Sequence, residues 1–400
     1  MHNNRIYTAV IFYFLLALSG LLNAACSSTG ISKKTNAMTA GSSIIESKRS
    51  FKIKEDKTFQ KGPYQMQETK SSIVIMWETP TKTISTVEYG LTDALGQKQT
   101  LLEPVTIHEV KITGLTAETV YFYRVGDGAT WSKSFTFRTA VEPTTPFRFA
   151  AYSDSQGKPR IHRQIVDRIM AWEPSFVLHS GDEVPDGRVW ADWGLFRFEP
   201  TRPLGHLVPD YVAIGNHEHN ADWFYRYSSY PFPKDDPQHE SYYDFTFGNA
   251  YFIIIDTNKL PGPQYAWVEE RLQSEEARKA TWRFAAFHNP AYATGWGEGC
   301  GYSGDVSLRD TLIPLLEKYK VNVIYNGHMH GYSRGFLNGV YHIIDGGGGS
   351  ALDAHCRSFP HITKEAYVYH FVMTEVFSDR LEIRAIDVDG NEIDHFTVRK

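Results

Sequence analysis

Two hydrophobic rhythms divide the chain. Between about Gly62 and Thr139, apolar and polar residues alternate in short runs. Ser72 to Trp77, Thr86 to Tyr89, Val105 to Ile112, Thr119 to Val125 and Lys133 to Arg138 each suit a strand, with Tyr121, Tyr123 and Val125 sharing one face. Gly90, Gly114 and the Gly126 to Gly128 turn separate them. Short strands spaced by glycine turns predict an all-β sandwich.

Glu142, Pro143 and Pro146 mark a boundary, and from Phe147 the pattern changes. Apolar runs at Phe147 to Ser153, Phe176 to Ser180, Tyr211 to Ile214, Tyr251 to Ile255, Phe284 to Phe287 and Val321 to Tyr325 predict buried strands. Helical spacing lies between them at Ile161 to Met170, Gln264 to Arg278 and Leu308 to Tyr319. Strand patterns return at Tyr367 to Val376, Leu381 to Val388 and Glu392 to Arg399. This alternation predicts an α/β layered domain.

The first residues follow neither rhythm. Ile6 to Leu22 is an apolar run behind Arg5, followed by Ala24, Ala25 and Cys26. It is short for a membrane span and has the form of a signal peptide. Cys26 directly behind the apolar run resembles a bacterial lipoprotein signal, in which that cysteine is lipidated; simple cleavage near Ala25 is the alternative. Ser27 to Ser50 is rich in Ser, Thr, Lys and Gly and predicts a flexible tether. The expected organisation is a signal peptide over 1–25, a tether over 26–58, a β-domain over 59–141 and an α/β domain over 146–400.

Composition narrows the function. A hydrophobic content of 42% over 400 residues is ample for large cores. The net charge of −5 is spread over well-mixed acids and bases, so nothing points to nucleic acid, and a membrane enters only through a possible lipid anchor. Export implies an oxidising compartment. With Cys26 set aside, Cys300 and Cys356 remain as a possible disulfide pair or as two separate thiols.

Chemistry collects where the strands end. The predicted strands are followed by Asp154-Ser155-Gln156, Gly181-Asp182, Gly215-Asn216-His217-Glu218, His288-Asn289-Pro290 and Asn326-Gly327-His328-Met329-His330. In open α/β sheets, ligands bind at that edge. Each short motif alone is weak, since Gly-Asp and Gly-Asn pairs are usually turns. Five such ends in one domain are a different matter. Carboxylates, an amide and imidazoles without thiolate suit Fe, Mn, Zn or Co. Their number exceeds one tetrahedral ion, so two ions are expected, as in sites that clamp a phosphoryl group.

These motifs, in this order, resemble those of the calcineurin-like metallophosphoesterase superfamily, and most of all its purple acid phosphatase-like branch. Gly62-Pro63-Tyr64, the Trp77 strand, Val87-Glu88-Tyr89-Gly90 and His108 through Gly126 resemble that branch's fibronectin III-like N-terminal domain. The resemblance implies a layered metallophosphoesterase sandwich behind an all-β one. It implies that Asp182 bridges two ions, that Asp154 and His330 bind the first, and that Asn216, His288 and His328 bind the second. It implies that His217 faces the phosphate as general acid or charge stabiliser, with Glu218 orienting it.

Two positions depart from the family pattern. Gln156 stands where many members have His, and serves either as a ligand through its amide oxygen or as a hydrogen-bonding neighbour. Pro185 stands where purple acid phosphatases carry the tyrosine that binds ferric iron. Divalent ions, Fe, Mn or Zn, and a protein that is not purple are therefore expected.

Around the site, the glycine-rich loop Tyr292 to Asp305 is a candidate lid. Gly346 to Gly349 suits close packing or a phosphate cradle. His219 and Arg188 are candidate phosphate contacts, and His162, His179 and His206 are structural candidates. The expected function is an exported or lipid-anchored, periplasmic or cell-surface phosphatase hydrolysing phosphate monoesters by attack of a metal-bridging hydroxide. A phosphodiesterase with the same site and a non-catalytic surface binding protein are the alternatives.

Overall fold

The computed structural model describes residues 56–232, 240–260, 262–297 and 299–400. The expected signal peptide, Cys26 and nearly all of the tether lie outside the described residues. Among the described residues, no helix is long and apolar enough to cross a membrane.

The N-terminal domain is built on two long strands, Ser72–Gly90 and Gln97–Thr113, paired antiparallel. The sequence pattern divides the first of these at Thr79 to Ser85. The chain instead continues as strand, with register shifts between Glu78 and Thr83 and between Thr83 and Ser85. Pro80 lies there and cannot donate to the ladder, so the strand bends rather than ends. Ahead of the bend, Ser72–Gly90 pairs with Lys61–Met66, a strand the alternation did not predict. Beyond it, the same strand pairs with Val120–Gly126, which pairs in turn with Phe135–Arg138. The bend thereby places Ile73, Ile75 and Trp77 in one core with Val87, Tyr123 and Phe137.

The outward face of the first sheet half does not meet water. Tyr64, Met66, Val74 and Met76 join the large core of the second domain. Polar groups pin the same seam: Gln65 Nε2 donates to His206 O at 2.8 Å, His206 Nδ1 lies 2.7 Å from Pro63 O, and Tyr123 donates to His206 O at 2.9 Å. Arg202, nearly fully buried, donates to the carbonyls of Asp56, Phe59, Gln60 and Gly62.

The second domain stacks two sheets. One has seven strands, in the order Ile362–Ala366, Tyr332–Leu337, Val340–Asp345, Val323–Asn326, Trp282–Phe287, Ala250–Ile255, Tyr243–Phe247. The other has six: Glu392–Arg399, Arg380–Asp387, His370–Val376, Phe147–Tyr152, Phe176–His179, Asp210–Val212. They meet through aromatic residues; Phe149 of the second sheet sets its ring edge-on to Phe252 and Phe284 of the first, both at 5.4 Å. Helix Pro159–Ala171 covers the outer face of the six-stranded sheet with Ile165, Val166 and Ile169. Pro263–Leu272 and Leu312–Lys318 cover the seven-stranded one.

Two expected helices are each broken. Gln264 to Arg278 is interrupted where Ser274 caps a new helix, Glu275–Lys279, by accepting from the Ala277 N–H at 3.1 Å. Leu308 to Tyr319 becomes Val306–Asp310 and Leu312–Lys318, because Pro314 fits only the first turn of a helix. The strand expected from Tyr367 begins at His370.

Candidate metal centre

The parallel strands of each sheet end at one edge. Phe147–Tyr152, Phe176–His179 and Asp210–Val212 run parallel and deliver Asp154, Asp182 and Asn216. Trp282–Phe287 and Val323–Asn326, parallel in the other sheet, deliver His288 and His328. Backbone bonds then lock the loops together: Asp154 N–H to Gly181 O and Gly327 N–H to His288 O, both at 3.0 Å.

The backbone is strained where the donors sit. Asp154, Asp182 and His328 have φ of 58°, 60° and 68°, a left-handed conformation uncommon for residues with a side chain. Glycines make room beside them. A Cβ on Gly215 would lie 2.2 Å from Asp182 Oδ1, and one on Gly327 would lie 2.6 Å from Asp154 Oδ2.

Carboxylate, amide and imidazole ligand atoms converge there. His288 Nδ1 lies 2.9 Å from Ser180 O, which places its proton on that nitrogen. Its Nε2 is therefore the ring nitrogen left for an ion, and it faces Asp182 Oδ2 at 3.2 Å, Asn216 Oδ1 at 3.0 Å and His328 Nδ1 at 3.2 Å. Four ligand atoms about 2.1 Å from one tetrahedral ion lie about 3.4 Å apart, so these separations suit a shared cation. Among the described residues, Asp182, His288 and His328 meet the spacing for a metal-holding triad.

A second group adjoins the first. His330 Nδ1 is 2.7 Å from Ala351 O, leaving Nε2 to face Asp154 Oδ1 at 3.5 Å. Gln156 places its amide nitrogen 3.3 Å from Asp182 Oδ2, while its buried Oε1 has no hydrogen-bond partner among the described residues. A buried, unpartnered amide oxygen beside two carboxylates and an imidazole is the second observation that fits an ion. All seven sequence-predicted ligand candidates thus lie together.

Electrostatics agree. Burial opposes a charge on His288, yet the neighbouring Asp182 and Asp154 carboxylates raise its pKa to about 10. Burial likewise opposes a charge on His330, but the hydrogen bond to Asp154 raises it to about 9. The site is built to hold positive charge. His328 goes the other way, pushed down to about 4 by burial and by His288.

His217 stands at the mouth, its side chain 42% exposed, with Nδ1 2.7 Å from Pro185 O and Nε2 3.9 Å from Asp182 Oδ2. Glu218 does not orient it, contrary to expectation. The fully buried Glu218 carboxylate accepts the N–H groups of Asp182 at 3.0 Å, Glu183 at 2.7 Å and Gly215 at 2.7 Å. It is a clamp on two ligand loops, and Pro185 supplies the carbonyl that aims His217.

Asp345 went unnoticed in the sequence. It ends another strand, and Ser153 Oγ lies 2.8 Å from its Oδ1 and 2.7 Å from Asp154 Oδ2. Burial holds the Asp345 carboxyl well above the usual range. The pattern Ile343-Ile344-Asp345-Gly346 repeats the strand-end signature of the other loops and is the signal that would have found it.

The chain matches two family models: residues 147–332 match calcineurin-like phosphoesterase, and residues 63–139 match purple acid phosphatase, N-terminal domain. It carries a calcineurin-like phosphoesterase domain behind a purple acid phosphatase N-terminal domain. Purple acid phosphatase 23 of Arabidopsis thaliana is 29% identical over 278 residues, spanning 59% of this chain and 58% of that protein. Fe(3+)-Zn(2+) purple acid phosphatase 12 of the same plant is 27% identical over 309 residues, spanning 69% and 65%. The match thus takes in little more than half the length of the first of these relatives. The fold is shared with purple acid phosphatase PPD1 from yellow lupin (Lupinus luteus), at TM-score 0.73 and 20% identity over 84% of this chain and 74% of that one. It is shared also with PhoD, at 0.67 and 15% over 86% and 90%.

All seven donors fall inside the phosphoesterase match. The glycines after Asp345 pack rather than cradle. Gly347 and Gly348 spend their N–H groups on Asp345 O and Ser153 O, and a Cβ on Gly347 would lie 2.0 Å from His370. Arg188 is held by both Asp186 oxygens at 2.8 and 2.7 Å, so its guanidinium is already engaged. His219 lies beside the same carboxylate, 3.9 Å from Asp186 Oδ1. Cys300 and Cys356 are joined as a disulfide. His162, His179 and His206 are buried and hydrogen-bonded, as structural residues are.

Proposed function

We propose that this chain hydrolyses phosphate monoesters at a site holding two divalent ions. The observation that carries this reading is the set of ligand atoms gathered around His288 Nε2, beside the orphaned Gln156 Oε1. Asp154, Gln156 and His330 would hold one ion, Asn216, His288 and His328 the other, and Asp182 would serve both. Bound there, such a pair supplies Lewis acidity toward phosphoryl oxygens and an activated water. The Fe(3+)-Zn(2+) designation of one relative supports a dinuclear centre, while Pro185 in the tyrosine position favours divalent over ferric iron.

The protein's own residues supply the rest. Pro185 O fixes the His217 ring, so Nε2 faces the mouth and can give a proton to the leaving oxygen when the ring is imidazolium. Glu218 keeps the Asp182 and Asn216 loops in register. Strained backbone at three donors holds the geometry before substrate arrives.

Turnover of a nitrophenyl monoester against its bis-ester, on chelator-treated and reloaded protein, tests this. Preference for the bis-ester would replace the monoester reading with a phosphodiesterase. No turnover of either with any divalent ion would favour a binding protein. Export rests on the sequence alone: residues 1–25 would be removed and Cys26 would carry lipid, placing the protein in a periplasm or on a cell surface. Mass spectrometry of the mature N-terminus tests that, and an intact Met1 would contradict it.

A further inference from the structure

The imidazoles at the mouth are aimed in two different ways. His217, His288 and His330 each have Nδ1 against a backbone carbonyl, at 2.7, 2.9 and 2.7 Å. Such a bond fixes the tautomer and the ring plane, which a ligating histidine needs. His328 has none. It turns Nδ1 toward the donor cluster, 3.2 Å from His288 Nε2, and no described residue bonds its Nε2. Its main-chain N–H is tied to the Asp154 carboxylate at 2.9 and 3.1 Å, but that leaves the ring free to rotate.

Aromatic rings surround it instead. Trp296 and Tyr302 each lie 5.0 Å from the His328 ring, tilted at 42° and edge-on at 79°, and they pack on each other at 4.5 Å. Both belong to the loop after His288, which is fastened from one side. Gly295–Trp296 pairs with Ala354–His355, and the next residue, Cys356, bonds to Cys300. Cys356 and Arg357 donate N–H to Thr294 O at 2.8 and 3.0 Å, and Arg357 also reaches Cys300 O. Gly295 leaves room for Tyr367, whose ring lies 2.3 Å from where a Cβ would stand.

We propose that Trp296 and Tyr302 are positioning residues that hold His328 Nδ1 toward the ion site, and that the Cys300–Cys356 strap keeps them there. Retention of the ion at the Asn216, His288 and His328 end would thus depend on a disulfide that contributes no ligand. This rests on the two-ion reading above.

The test is a competition titration of the full-length protein with Co(II) or Zn(II) against a chromophoric chelator, resolving two binding constants. Trp296→Ala and the double variant Cys300→Ser/Cys356→Ser are each expected to weaken one constant by about 10- to 100-fold and leave the other in place. Trp296→Phe should restore it to within a few fold, and the visible Co(II) spectrum should change with the weakened constant. His328→Ala sets the size of outright ligand loss. Should Trp296→Ala fail to fold by circular dichroism, Tyr302→Leu and the cysteine pair carry the same criteria. Two ions in wild type with unchanged constants in these variants would overturn the inference alone. Fewer than two ions in wild type would overturn the two-ion reading and this inference with it.

Discussion

His108 in the N-terminal domain and His288 at the donor cluster are both fully buried, yet their surroundings oppose each other. His108 stacks on Trp77 at 4.5 Å, with Thr79 Oγ1 and Ser85 Oγ each 2.8 Å from a ring nitrogen. Hydroxyls satisfy either tautomer, so burial decides, and it pushes the ring down to about 4. His288 satisfies one nitrogen with a carbonyl and turns the other toward a carboxylate, an amide oxygen and another imidazole. Burial opposes its charge too, but Asp182 wins. Burial therefore does not separate a structural histidine from a functional one. In this pair, what separates them is that only His288 turns its second nitrogen on a carboxylate.

Removing the anion at the centre should break this contrast most severely. Asp182→Asn takes away the charge that His288 and Gln156 both face, and its NH2 cannot ligate. Turnover should fall by about 10³-fold or more, with loss of bound ion by elemental analysis. His217→Ala is expected to be milder and different in kind: about 10²-fold slower turnover with ion content unchanged. An unchanged rate would remove the assigned role.

Glu218, read from the sequence as His217's support, is where sequence order misled. Adjacency along the chain suggested contact, but in the fold Glu218 points inward to three backbone N–H groups. The ligand candidates themselves were readable, because an apolar strand followed by glycine and a polar residue leaves a local trace. The pairing of Ser153 with Asp345, across 192 residues, leaves none, even though Asp345 itself carries the strand-end signature. In the fold, the long strand Ser72–Gly90 was hidden by its bend at Pro80. The hairpin Tyr332–Leu337 to Val340–Asp345 was missed although its turn is marked. Asn338-Gly339, with φ of 48° and 88°, is the pair that left-handed hairpin turns select.

His108 and His162 make the structural side of the comparison measurable. Both are held near pKa 4, below the value of about 6.5 in an unfolded chain. Below that value the unfolded chain takes up protons that the fold refuses. Their stabilisation is thus complete above about pH 6.5 and is lost as pH falls toward 4. Urea melts should show a decline on the order of 3 kcal/mol per group over that window. A flat profile would mean that these rings take up protons in the fold as readily as in the unfolded chain. The smallest effect expected is spectroscopic. With Pro185 in the tyrosine position, iron-loaded protein should show no tyrosinate-to-iron band, and a purple colour would refute the divalent assignment.

Two ions held by the strand-end donors are proposed to drive phosphoester hydrolysis. Elemental analysis and nitrophenyl phosphate turnover, on one preparation before and after chelation and reloading, test this most directly. Two equivalents of divalent metal are expected, with loss of turnover on chelation and its return as the second equivalent binds. Hydrolysis that survives complete chelation, or saturation at a single ion with full activity, would contradict it.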